Sequence, residues 1–299
     1  MKFLMSLLVA GVLFGVGSAS ADQLRVVAAT NDLAAIADAV GKDLIDLEVV
    51  ARPDRDPHAI EVRPSTMRKT SKADIYLAVG LSLDMWSPEV VRGSRNRDLV
   101  FVDCSVVISP LEIPAGKVDA SMGDVHPEGN PHYWLDPENG ILLAHLVAGQ
   151  FATLDPGNSD AFFMNAGEFE KEIRRRMPLW DARLRGQVFL EFHQSWVYLA
   201  QRFDMKIAGQ IEPLPGIPPS ARHLARLSEL IQETNIPIAV RDHFHNESPL
   251  EFLERETGIK TAVLPSACKE PIAESYLSHF DEVADVLGGE SPSANGDSK

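Results

Sequence analysis

The chain has 299 residues, with 28 Lys and Arg against 43 Asp and Glu and a formal charge of −15. That acidic balance makes it a poor partner for nucleic acid or an anionic membrane surface, and its general field mildly favours cations. Two cysteines, Cys104 and Cys268, are too few for a disulfide framework; an oxidising compartment permits a bridge between them without requiring one.

Residues 1–21 carry one charge, Lys2, then an apolar run from Phe3 to Val16 and the small residues Ala19-Ser20-Ala21. This reads as a secretory signal with a cleavage site, not a membrane span, and no later stretch is apolar for long enough to cross a bilayer. The cleavage region has no cysteine, so the expectation is a periplasmic chain without a lipid anchor.

Strand and helix patterns then alternate. Arg25–Thr30, Leu44–Ala51, Ala73–Gly80 and Leu99–Cys104 read as short buried strands, with helical stretches at Asp32–Val40, Pro64–Ser71 and Leu83–Val91. Such alternation implies a mostly parallel sheet covered on both faces. Residues 105–131, rich in Pro and Gly, read as a long surface loop. Asp136 as cap and Pro137 in the first turn predict a helix with an apolar face through Ile141, Leu142, Leu146 and Val147. From Phe162 to Leu184 apolar residues recur every three or four positions, which predicts one helix over Asn158–Leu184, roughly 40 Å long at 1.5 Å per residue.

The second half repeats the alternation. Strands are expected at Gln187–Phe192, Lys206–Ile211, Ile236–Arg241 and Lys260–Leu264. Helices are expected at Trp196–Phe203, Pro219–Glu233, Pro249–Thr257 and Ile272–Leu287, with Gly258 ending the third. The fold class is therefore α/β, with two doubly wound parallel-sheet domains joined by a long rigid helix. The expected layout is a signal peptide over 1–21, an N-terminal domain over 22–154, a linking helix over 155–186, a C-terminal domain over 187–288 and a disordered tail over 289–299.

Three histidines occupy equivalent places in this layout: His58 in DPHAIEVRPS, His132 in NPHYWLDP and His193 in LEFHQSW. Each lies just past a strand or at the start of a helix, and ligands in open α/β sheets bind at the carboxyl ends of the strands. Three imidazoles suit zinc better than the harder manganese or magnesium ions. His145, His223 and His279 fall within helices and read as structural or surface residues. Trp86, Tyr133, Trp134 and Trp196 read as walls of a cleft.

The run DPHAIEVRPSTMRKTSKADIYLAVGLSLDMW, together with NPHYWLDP, FHQSWVYLAQRFDM and PGIPPSARHLARL, resembles the zinc/manganese-binding solute-binding proteins of bacterial ABC importers. The resemblance runs from about Val26 to about Leu287. It implies two α/β domains with one divalent transition metal held in the cleft between them and handed to a membrane permease. Position by position, His58, His132 and His193 match three metal ligands of that family, and a His at the third place is associated with its zinc-binding branch. The implied cargo is Zn2+, and the implied partners are the ABC transporter permease and a periplasmic metallochaperone. The chain itself is expected to be a monomer and not an enzyme.

One turn departs from the pattern. Where the family has a fourth ligand in a Leu-Asp-Pro-Leu-Gly-like turn, this chain reads VLPSACKEP, with Pro265 or Ser266 in the place of the acid. Asp242, at the end of the Ile236–Arg241 strand, is the first candidate to replace it; His243, His245, Cys268, Glu270 or water are alternatives. An open three-histidine site would also suit a secreted zinc-dependent hydrolase, although no His-Glu-x-x-His helix is present. His126 lies in the loop near Asp124 and Glu128, where it is expected to gather metal. On that reading the loop over 116–131 is mobile without metal, and removing Asp124–Glu128 slows acquisition more than it weakens retention.

Overall fold

The computed structural model describes residues 23–288; the expected signal peptide and polar tail lie outside the described residues. Two parallel four-stranded sheets form the framework. The first contains β1 (Leu24–Ala28), β2 (Ile45–Val49), β3 (Ile75–Ala78) and β4 (Val100–Asp103) in the order β2-β1-β3-β4. Val26 sits at the centre of its register, beside Leu47 on one side and Ile75 on the other. Its strands are short and rich in Val, Ile, Leu and Ala because helices cover both faces.

The second sheet repeats the plan. It is built from β5 (Val188–Glu191), β6 (Lys206–Gln210), β7 (Ile238–Arg241) and β8 (Lys260–Val263) in the order β6-β5-β7-β8. In both sheets the order reverses beside the first strand, which opens a crevice at the carboxyl ends.

The helices are α1 (Asn31–Gly41), α2 (Pro64–Thr70), α3 (Ser87–Ser94), α4 (Pro137–Leu154), α5 (Ser159–Leu184), α6 (Val197–Arg202), α7 (Ala221–Thr234), α8 (Ser248–Thr257) and α9 (Ala273–Leu287). Local chemistry sets their ends as expected. The Asp136 carboxylate accepts the Glu138 N–H at the start of α4, Pro137 takes the first position, and Gly258 closes α8 in the left-handed region. One boundary moves: the helix expected from Leu83 starts at Ser87. Gly80, Leu81 and Ser82 all have positive φ, so the chain must finish a left-handed turn before a helix can form.

α5 is the long helix that joins the two halves, and it packs on α1, α4 and α9. α9 follows the second sheet in sequence yet returns to the first half, against α1 and α5. Its Ala273 N–H donates to Asp38, Tyr276 Oη donates to the Trp134 carbonyl, and Trp180 Nε1 donates to Asp281. A large core runs through the first sheet, α1, α4, α5 and α9, and a smaller one fills the far side of the second sheet. Cys104 and Cys268 are free and buried.

Candidate metal centre

His58 lies in the connection between β2 and α2, His132 shortly before α4, and His193 just after β5, so all three histidines stand in connections that leave the carboxyl ends of strands. Their ring centroids form a nearly equilateral triangle: 5.3 Å from His58 to His132, 5.2 Å from His58 to His193 and 5.4 Å from His132 to His193. One ring nitrogen from each lies within 4.8 Å of the other two. Among the described residues this is the one cluster of His, Cys, Asp and Glu with metal-ligand spacing.

Two of the three are set by the same tripeptide. In Asp56-Pro57-His58 the Asp56 Oδ1 accepts both the His58 backbone N–H and its Nδ1–H, each at 2.9 Å. In Asn130-Pro131-His132 the Asn130 Oδ1 accepts the same pair at 3.0 and 2.9 Å. The Asn130 amide is itself oriented, because its Nδ2 donates to Glu112 and to the Gln194 carbonyl. His193 finds its acceptor in Glu212, which follows β6: Nδ1 to Oε2 is 2.9 Å, and the Gly216 N–H donates to the same oxygen at 2.8 Å. With Nδ1 engaged in all three rings, Nε2 is the atom left to bind. This fixes both tautomer and aim, as metal-binding histidines require.

The electrostatics divide the set. Burial holds His132 well below the ordinary imidazole range, with the neighbouring histidines adding to the effect. Burial also acts on His193, but there the hydrogen bond and charge of Glu212 outweigh it and the ring is raised. Asp56, despite burial, is pulled down to about 2 by its bonds to His58. Burial thus keeps His132 a neutral base, while anionic oxygens stand behind His58 and His193, where they can offset a cation's charge. An amide oxygen serves His132 in the role that carboxylates serve elsewhere, so Glu212→Gln should bind metal nearly as well as the parent. Glu212→Ala, which frees both Nδ1 and the Gly216 N–H, should lose about ten- to a hundredfold in affinity by calorimetric titration. Equal affinities for the two variants would remove Glu212 from this role.

Asp242 does not join the cluster. It is buried, and its Oδ2 accepts the Ser266 N–H at 2.8 Å and the Ser266 hydroxyl at 2.7 Å, while Oδ1 lies 3.2 Å from His243 Nδ1. This carboxylate braces the turn that lacks the acid of the resembling family, and Asp242 is outside the group of three histidines. Burial raises its pKa, and the bonds from Ser266 oppose the rise. The same turn docks on the first half through Cys268 N–H to Asp32, Asn31 Nδ2 to the Lys269 carbonyl, and Trp134 Nε1 to the Ser266 carbonyl at 2.7 Å. His245 accepts the Asp242 N–H and stacks on Phe192, with its centroid 6.0 Å from His193. His243, Cys268 and Glu270 also stand outside the cluster.

His126 was placed in the loop as a gatherer of metal, and the fold carries it further inward. Its Nε2 lies 3.2 Å from His58 Nε2, and the two ring centroids are 5.2 Å apart. Sequence spacing gave no hint of this contact, since 68 residues separate the pair.

The match to a family model decides the matter: residues 26–288 fit ZnuA, the periplasmic component A of a zinc-uptake complex. The chain belongs to the ZnuA family. That is a family of metal-binding, ABC-transporter substrate-binding proteins rather than of enzymes. The manganese ABC transporter substrate-binding lipoprotein PsaA of Streptococcus mitis is 25% identical over 256 residues, covering 81% of this chain and 79% of its own. The iron ABC transporter substrate-binding lipoprotein MtsA of Streptococcus pyogenes is 30% identical over 176 residues, 56% of this chain and 54% of its own. A crystal structure of ZnuA superposes with a TM-score of 0.76 at 24% identity, covering 88% of this chain and 99% of that one. These streptococcal relatives are named lipoproteins, which runs against the expectation of a chain without a lipid anchor. Among the described residues no helix is long and apolar enough to cross a membrane.

Proposed function

We propose that this member of the ZnuA family captures zinc on the exported side of a bacterial membrane and delivers it to the permease of an ABC importer. The observation that carries the reading is the triangle of His58, His132 and His193, with every Nδ1 already bonded and every Nε2 left to coordinate. Relatives are named for manganese and for iron, so the family does not choose the metal; the donor chemistry supports zinc. Three imidazoles and no carboxylate in the cluster favour a borderline-soft ion, and zinc stands well above manganese in affinity for nitrogen ligands. A permease partner and a periplasmic metallochaperone follow from the same assignment.

The test is competition. Protein loaded with one equivalent of zinc should keep it against about a hundredfold excess of manganese. Displacement of zinc by an equal concentration of manganese would overturn the assignment of cargo.

A further inference from the structure

We propose that His126, carried in on the loop between β4 and α4, supplies the fourth ligand of the metal site, completing a set of four imidazoles. The inference rests on the reading of His58, His132 and His193 as the metal site and adds a ligand that neither the family match nor the sequence assigned.

Geometry is the first support. A tetrahedral zinc ion with Zn–N bonds of about 2.0–2.1 Å sets neighbouring ligand nitrogens roughly 3.3 Å apart. The Nε2 atoms of His126 and His58 are 3.2 Å apart, the length of one edge of that tetrahedron. His126 stands outside the group of three whose nitrogens lie within 4.8 Å of one another, so its ring must close on the metal for the remaining edges to form. The distance between their centroids equals that between His58 and His193. His58 has committed its Nδ1 proton to Asp56, so its Nε2 presents a bare lone pair towards His126. Without metal the His126 Nε2–H can donate to that lone pair; a cation shared by the two rings takes the place of that proton.

The second support is how the loop is held. On one flank the Ser82 hydroxyl, in the left-handed turn after β3, donates to Glu128 at 3.4 Å, two residues past the half-buried His126. On its other flank the loop is fastened to the second half of the molecule: the Asp124 N–H donates to the Pro215 carbonyl at 2.8 Å. Gly123 and Gly216 allow that approach. A Cβ at Gly123 would collide with the Pro215 carbonyl, and one at Gly216 would collide with the Asp124 carboxylate. Gly216 also donates to Glu212, the partner of His193. The loop therefore spans the mouth of the crevice, with one histidine turned inward and its backbone tied to the segment that orients another.

The third support is the lack of a better donor. Asp242 is committed to Ser266, and His245 approaches His193 at 6.0 Å while lying on Phe192. A cavity of about 50 Å³ beside the site is lined by His126, His132 and His193 together with Asp124 and Glu112.

X-ray absorption on the zinc-loaded full chain tests the assignment by counting imidazoles. Four nitrogen ligands are expected in the parent, and three with one oxygen in His126→Ala, together with a loss of affinity of more than about tenfold. His145→Ala, which removes a ring paired with Glu170 on the surface of α4, should keep four. A parent protein that holds zinc through three imidazoles and an oxygen, with unchanged affinity in His126→Ala, overturns this assignment and leaves the three-histidine site standing. Failure of the parent to take up zinc at all overturns both.

Discussion

Replacing His132 with alanine is expected to lower zinc affinity by at least about a hundredfold, or roughly 2.8 kcal/mol. The side chain is 2% exposed, and its Nδ1 is bonded to an Asn130 amide that is oriented in turn by Glu112 and Gln194. The ring therefore has one aim and one tautomer, and alanine removes a preorganised bond to the metal. Loss of a group that only orients a ligand costs ten- to a hundredfold, so loss of the ligand must cost more. Water can enter in its place, but it is a weaker donor than imidazole. Titration of the variant against a chelator of known affinity measures the loss. A change of less than about tenfold, in protein whose circular dichroism matches the parent, would mean that His132 is not a ligand.

The second large effect is on stability. Trp134→Ala should destabilise the protein by about 3–5 kcal/mol, the range for removing a large aromatic from a core. Trp134 is 2% exposed and packs beside His132 and Tyr133. Its Nε1 bonds the Ser266 carbonyl, and its own carbonyl accepts from Tyr276. Its side chain thus meets the turn after β8 and the His132 ring, while its backbone carbonyl holds helix α9. Denaturant unfolding of the metal-free protein reads the effect without any contribution from zinc binding. A loss below about 1 kcal/mol would show that these contacts are not structural.

Much of this arrangement was legible in the chain, and the limits have physical causes. The eight strands and nine helices among the described residues follow the alternation of buried apolar runs with capped amphipathic segments. The convergence of His58, His132 and His193 on one place was legible because the connections that leave such sheets at the carboxyl ends of the strands share one crevice. The repeated Asx-Pro-His unit was present as DPH and NPH, but its shared hydrogen-bond pattern emerges only when both rings are seen turned back on the Asx oxygen. An acid ending a strand has the same sequence signature whether it binds a cation or an N–H, so the bonds of Asp242 to Ser266 could not be read from the chain. The acceptor of His193 lies 19 residues away on another strand's end, and the contact of His126 with His58 spans half the first domain; local pattern holds no information about either. The return of α9 to the first half was equally hidden, since its periodicity predicts a helix and not which sheet it covers.

That return has a bearing on biogenesis. A chain that emerges amino end first presents β1 to β4 and α1 long before residues 273–287 arrive. Until then α1 has no α9 to cover it, and Tyr276, Phe280 and Val283 are missing from the main core. The amino-terminal half cannot reach its final packing as a separate unit, although domains generally fold one after another during synthesis. Its completion waits for the last helix, so the amino-terminal half reaches its final packing only once the carboxyl-terminal end of the chain is in place.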